Sequence, residues 1–178
     1  MRLGVTMRQF LRNTKVSIPL GIGVLALLAW VVFGVFGVHL LFVDDEVNEA
    51  LPAFDSPAAA APAAAPVEVT VTTEVAGSFV SREHETTGRA FVLGDGSGQR
   101  FLRFEEFATS NGPDLNVYLV DSSTGDVSDF VDLGNLKGNI GDQNYEIPVG
   151  TDLSKYDTVI IWCVRFSANF GDAVLTPV

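Results

Sequence analysis

Residues 157–166, Asp157-Thr-Val-Ile-Ile-Trp-Cys-Val-Arg-Phe166, form the most β-prone run in the chain and carry its single cysteine, Cys163. Six of the ten side chains are Val, Ile, Trp or Phe, which fit a pleated, buried surface. Alternation along a strand sets Val159, Ile161, Cys163 and Arg165 on one face. Ile160, Trp162, Val164 and Phe166 fall on the other. That second face is apolar throughout and is expected to face the core. The first begins apolar and ends in a cation, so Cys163 is expected where burial gives way to a polar setting.

The sequence on the N-terminal side of this run repeats the pattern in shorter pieces. Val67–Val71, Gly77–Val80, His84–Leu93, Gln99–Phe107, Leu115–Val120, Val131–Leu136 and Tyr145–Ile147 read as strands, and Ala173–Leu175 follows the run. Gly94-Asp-Gly-Ser-Gly98, Asn111-Gly-Pro-Asp114, Ser122-Ser-Thr-Gly125 and Gly138-Asn-Ile-Gly141 are turns by composition. No stretch of this half sustains a helical period. The expected fold is all-β: an antiparallel β-sandwich of about seven to nine short strands over residues 67–178. A domain of that size buries enough apolar surface to fold without disulfides.

Three segments precede it. Residues 1–16 form a basic tail, with Arg2, Arg8, Arg12 and Lys15 and no acid. Residues 17–43 are apolar, and a run of about 20 such residues is long enough to cross a bilayer as a helix. The reading is one transmembrane helix in a single-pass membrane protein, N-terminus cytoplasmic and the C-terminal domain extracytoplasmic. The run exceeds a signal-peptide core and ends in no small-x-small site, so cleavage is not expected. Residues 44–66 are an Ala/Pro-rich linker with four prolines, which at about 3.1 Å per residue reads as an extended stalk.

Charge narrows the partners. All 22 acids follow Val43, against 7 of the 11 basic residues. A surface that acidic disfavours nucleic acid, which needs clustered Lys and Arg. One cysteine cannot form an intramolecular disulfide, so its thiol is packed, liganded, reactive or shared with another chain. The acids Glu105, Glu106, Asp114 and Asp121 lack the calcium-loop spacing and read as solvated surface. No nucleophile elbow accompanies His84, so no independent catalytic activity is expected.

Several motifs together resemble a known family. They are Gly77-Ser-Phe79, His84-Glu-Thr-Thr-Gly88, Leu102-Arg-Phe104, Phe107 and Asn111-Gly-Pro-Asp-Leu-Asn-Val-Tyr-Leu119. The run from Leu133 to Pro148, then Val159-Ile-Ile-Trp-Cys163 and Phe170-Gly-Asp-Ala173, complete the set. In order and without large gaps, from about Val75 to Thr176, they resemble the DM-thirteen domain, a small extracytoplasmic β-domain named for electron transfer. The resemblance implies that Cys163 acts as a redox group, either as a bare thiol or as a ligand to a prosthetic group such as haem. It also matches His84 to a histidine of the family's first motif. It implies a redox partner protein, because the attached redox modules of other members are missing from this chain.

Two readings of Cys163 follow. A thiolate is favoured by a nearby cation, and Arg165 on the same strand face would supply one. A lone cysteine in a Val/Ile/Trp strand also serves as a small core hydrophobe. In the first reading the chain is a membrane-anchored redox domain, with Cys163 as the thiol and His84 as a second ligand if the fold joins them. In the second it is a cell-surface binding or adhesion module whose cysteine only packs.

Overall fold

In the computed structural model, which describes residues 14–35, 43–54, 70–124 and 127–178, the chain separates into two units, Met1–His39 and Leu40–Val178. The first unit contains helix α1, Thr14–Trp30, with Pro19 inside it, followed by a π-helical turn, Val31–Val35. Among the described residues no helix is long and apolar enough to cross a membrane. This corrects the expectation of a transmembrane helix over residues 17–43. The α-helix stops after 17 residues, about 26 Å at its rise per residue, against an apolar bilayer core of about 30 Å. The break falls on Val31-Val-Phe-Gly-Val35, where β-branched residues and a glycine weaken α-helix. The rest of that apolar run, residues 36–42, lies outside the described residues. So do residues 1–13 of the basic tail, residues 55–66 of the linker and residues 67–69 of the first expected strand.

The second unit is a sandwich of two five-stranded antiparallel sheets. Its strands are β1 Thr72–Ser78, β2 Val80–Ser81, β3 Thr86–Gly94, β4 Arg100–Thr109 and β5 Leu115–Val120. They continue as β6 Phe130–Asn135, β7 Gln143–Ile147, β8 Thr158–Cys163, β9 Ala168–Val174 and β10 Thr176–Pro177. One sheet has the order β10-β1-β3-β4-β7 and the other β2-β9-β8-β5-β6. Among the described residues ten strands replace the seven to nine expected. β2 and β10 are two-residue edge strands, too short to show any alternation in the sequence.

The core lies between the sheets. Ala90, Val92, Leu102 and Phe104 come from one side and Val117, Leu119, Val159 and Ile161 from the other, all fully buried. Each such Val, Leu, Ile or Phe side chain stabilises the fold by about 1.5–3 kcal/mol through burial. Phe79, Phe104 and Phe107 meet one another at ring-centroid distances of 5.0–5.1 Å.

The two faces of β8 are reversed from the sequence expectation. Val159, Ile161 and Cys163 point into the main core, while Ile160 and Trp162 join Tyr118 and Val120 in a small outer cluster. Both faces of β8 are apolar, so its own alternation cannot rank them. Its neighbour β5 decides: Leu115, Val117 and Leu119 pair with Cys163, Ile161 and Val159 on the inside, and Asn116 pairs with Trp162 on the outside. The strand also ends early. Residues 164–167 form the turn into β9, closed by Ser167 at φ +51°, and leave Val164, Arg165 and Phe166 exposed.

The acidic start of the segment read as linker is docked on the sandwich. Glu46 forms a parallel bridge with Ile140. The Val47 N–H donates to the Ile140 carbonyl at 2.9 Å and the Glu49 N–H to the Asp142 carbonyl at 2.9 Å. Arg103, nearly buried, donates to the carbonyls of Glu49 and Ala50 and to the carboxylates of Glu105 and Asp142. Phe54 sits edge-on to Phe101 at 5.2 Å. Residues 43–54 are a strap on the domain.

Candidate functional site

Cys163 closes β8 at one end of the sandwich, opposite Leu115 on β5 and Ala168 on β9. It is fully buried, and its thiol donates to the carbonyl of Pro113 at 3.7 Å. Pro113 belongs to the loop 110–114 that leads into β5 and roofs this end. The loop is fixed on the β8 side by the Val164 N–H, which donates to the Asp114 carbonyl at 3.0 Å. Asp114 itself holds φ +84°, a left-handed conformation that few non-glycine residues adopt, Asp among the better suited.

The other side of the loop is fixed by Asn111. Its Oδ1 accepts from the Gly112 N–H at 2.8 Å, and its Nδ2 donates to the Val43 carbonyl at 2.8 Å and to Asp45 at 3.0 Å. A cleft of about 210 Å³ lies beside this roof, lined by Asp45, Asn111, Asp114, Leu115 and Lys137 among others. A second cleft of about 360 Å³, with Asp44, Glu85 and Ser110 in its wall, shares Asn111. Neither is lined by Cys163. The loop that carries the thiol's carbonyl partner borders both clefts.

His84 is half-buried at the same end. Its ring stacks on Phe170 at 3.7 Å and 24°, and the His84 backbone N–H donates to the Phe170 carbonyl at 3.3 Å. The Phe170 ring in turn packs at Gly112, where its Cζ lies 3.1 Å from the position a Cβ would take. His84 and Cys163 thus approach the same loop from different sides but share no hydrogen bond. Arg165, expected beside the thiol, stands in the exposed β8–β9 turn. A prosthetic group held between Cys163 and His84 does not fit this arrangement: the thiol faces a carbonyl, the imidazole faces a ring, and neither flanking cleft is lined by either residue. Among the described residues no three His, Cys, Asp or Glu side chains are placed to hold a metal ion.

A profile described as Electron transfer DM13 matches residues 78–175, more than half of the chain. The chain belongs to the DM13 family. No curated protein and no solved structure matches it.

The DM13 motifs take on structural meaning in this fold. Thr86, buried, shares a 2.8 Å hydrogen bond with Thr109 and donates to the Phe170 carbonyl at 3.0 Å. Gly171 lies against it: a Cβ there would stand 2.5–2.7 Å from the Thr86 side chain. Asp172 receives both Arg82 Nε and Nη2, at 2.6 and 3.0 Å. The His84-Glu-Thr-Thr-Gly88 and Phe170-Gly-Asp-Ala173 motifs therefore join β2, β3 and β9, beside the roof of Cys163. Asn111 and Pro113 are the site residues that the sequence reading missed. It placed Asn111-Gly-Pro-Asp114 as a turn without seeing that the turn covers the thiol.

Proposed function

We propose that this DM13 chain is an extracytoplasmic redox domain in which Cys163 exchanges with the disulfide of a partner protein. The family match supports an electron-transfer role. The observation that carries the cysteine assignment is its position: Cys163 ends its strand, and its thiol donates to the Pro113 carbonyl of the loop that leads into β5. In this reading the loop opens and the Cys163 thiolate attacks one sulfur of the partner disulfide. The partner's S–S bond breaks, a mixed disulfide forms, and the partner's second sulfur leaves as a thiolate that takes up the proton lost by Cys163. Two small-molecule thiols attacking in turn release the reduced partner, then Cys163. The two electrons end on the partner, and the small thiols leave as their own disulfide.

The proposal also seats the chain at a membrane. Ile22, Leu25 and Leu28 on α1 and Phe33 after it are exposed and apolar, a surface suited to lipid contact.

A second reading has its own observation. Cys163 packs in the main core with Leu115, Ile161 and Phe170, as a structural cysteine would, and the acidic clefts would then be the binding surface of an adhesion module. Trapping separates the two. Wild-type chain incubated with envelope or cell-surface proteins and quenched in acid is expected to yield mixed disulfides that are reducible and absent from Cys163→Ser. Identical patterns from both chains would leave the packing reading.

A further inference from the structure

The strap, residues 43–54, lies outside the residues that match the family and has the contacts of a fitted part. Two of its features reach the roof of the thiol. The Val43 carbonyl and the Asp45 carboxylate both accept from Asn111 Nδ2, and Asn111 is two residues from Pro113. The strap is held independently at the β6–β7 loop. Asn139, buried, donates to Asp44 and to the Thr109 carbonyl and accepts from the Asp45 N–H at 2.7 Å. Further along, Lys137 and the Asn144 N–H bind the Glu49 carboxylate.

Gly138 shows how closely the strap is seated. The three nearest atoms that a Cβ on Gly138 would meet all belong to the strap: the Asp45 carbonyl oxygen at 2.5 Å, Val47 Cγ2 at 2.7 Å and the Asp45 carbonyl carbon at 3.3 Å. A side chain at this position would push on the strap first.

We infer that the strap is a latch on the thiol: docked, it holds Asn111 and keeps the 110–114 roof over Cys163, and displaced, it frees the roof to open. The roof has two hydrogen-bonded clamps, Asn111 on the strap side and the Val164–Asp114 hydrogen bond on the β8 side, and its Gly112 packs on Phe170. Only the first clamp depends on the strap. Access to Cys163 then varies with anything that moves residues 43–54. The inference builds on the redox reading of Cys163, but its core statement, strap position controlling roof opening, holds without any partner.

The test uses the full chain and two substitutions. Asn111→Ala cuts the strap-side clamp. Gly138→Ala pushes directly on the strap at Asp45 and Val47 and leaves the Asn111 side chain in place. Amide exchange at Val47 and Glu49 reports the strap, exchange at Val164 reports the roof, and exchange at Ile160 and Ile161 reports whether the sheet stays folded. Alkylation of Cys163 by a small neutral reagent reports access.

Loss of the three Asn111 side-chain hydrogen bonds, two to the strap and one to Gly112 within the roof, is expected to raise the alkylation rate about tenfold or more. Gly138→Ala should raise it in the same direction, with β8 amides still protected in both variants. Three results would overturn the latch. In one, strap amides exchange freely while Val164 protection and alkylation stay at the wild-type level. In another, the strap amides keep full protection in both variants. In the third, alkylation rises only together with loss of β8 protection. None of these depends on whether a partner disulfide is ever captured. Failure of the trapping experiment with a working latch would therefore reject the redox reading alone.

Discussion

The Cys163 thiol donates to the carbonyl of Pro113 across 3.7 Å. A core cysteine deep in a sheet would be walled in by strands on every side. This one has two strands beside it and a loop above it, and the loop depends on contacts from a segment that the two sheets do not contain.

That position sets the cost of removing the sulfur. Cys163→Ala deletes one buried atom and leaves a small void beside Leu115 and Phe170. A loss of about 1–2 kcal/mol is expected in urea denaturation of the domain. A neutral result would mean that the site collapses freely, contrary to the packing seen here.

The reversed faces of β8 give a sharper contrast. Ile161 is fully buried, and Ile161→Ala should cost about 2–5 kcal/mol. Phe166, expected in the core from alternation, is 53% exposed in the turn, and Phe166→Ser should stay within about 0.5 kcal/mol. Equal losses from the two, by the same denaturation assay, would contradict the register between β5 and β8.

Gly171→Ala tests the motif that binds β9 to β3. The added methyl would collide with Thr86, itself tied to Thr109 and to the Phe170 carbonyl. Overpacking of this kind costs about 1–3 kcal/mol, to be read as a lower urea midpoint at unchanged slope. Because Phe170 follows the same backbone, its ring contact with His84 should loosen too, seen as a shifted His84 ring resonance.

Glu49 links the strap to pH. Burial pushes its carboxyl up, but the Lys137 ammonium and the hydrogen bond from the Asn144 N–H bring it below the usual carboxylate range. A carboxyl depressed in the folded state stabilises that state above its unfolded pKa, about 4.3. The contribution is lost as pH falls through the lower, folded value. Glu49→Gln should therefore be less stable than wild type at pH 7, and the gap should close as pH drops well below 4. A gap unchanged between pH 7 and pH 3 would show that the Lys137–Glu49 pair does not hold the strap.

Much of the sandwich was legible because its signals are local. Turn clusters and alternation mark β3, β4, β5 and β8 within a few residues, whatever the rest of the chain does. The edge strands β2 and β10 are pairs of residues defined only by what they lie against. The inward face of β8 was misassigned because both of its faces are apolar. The polar Asn116 and the tyrosine Tyr118 on β5 mark the outer side, and reading the two strands together supplies the answer. The strap was unreadable for another reason. Acids followed by Pro and Ala look solvated, and their partners Arg103, Asn139 and Asn144 stand more than fifty residues away in sequence. The apolar N-terminal run had the composition of a membrane-crossing helix, yet α-helix geometry ends at Trp30, where β-branching and glycine outweigh hydropathy.

Alkylation of Cys163 in the native full chain, followed across low urea concentrations, tests most directly whether the thiol is reached through its roof. If the 110–114 loop opens by itself, the rate in low urea is nearly independent of denaturant, because a local opening exposes little surface. It also exceeds the rate set by global unfolding. A rate that rises from zero urea with the full unfolding slope would mean that Cys163 is exposed only when the sandwich comes apart, and the cysteine would then be a core residue and nothing more.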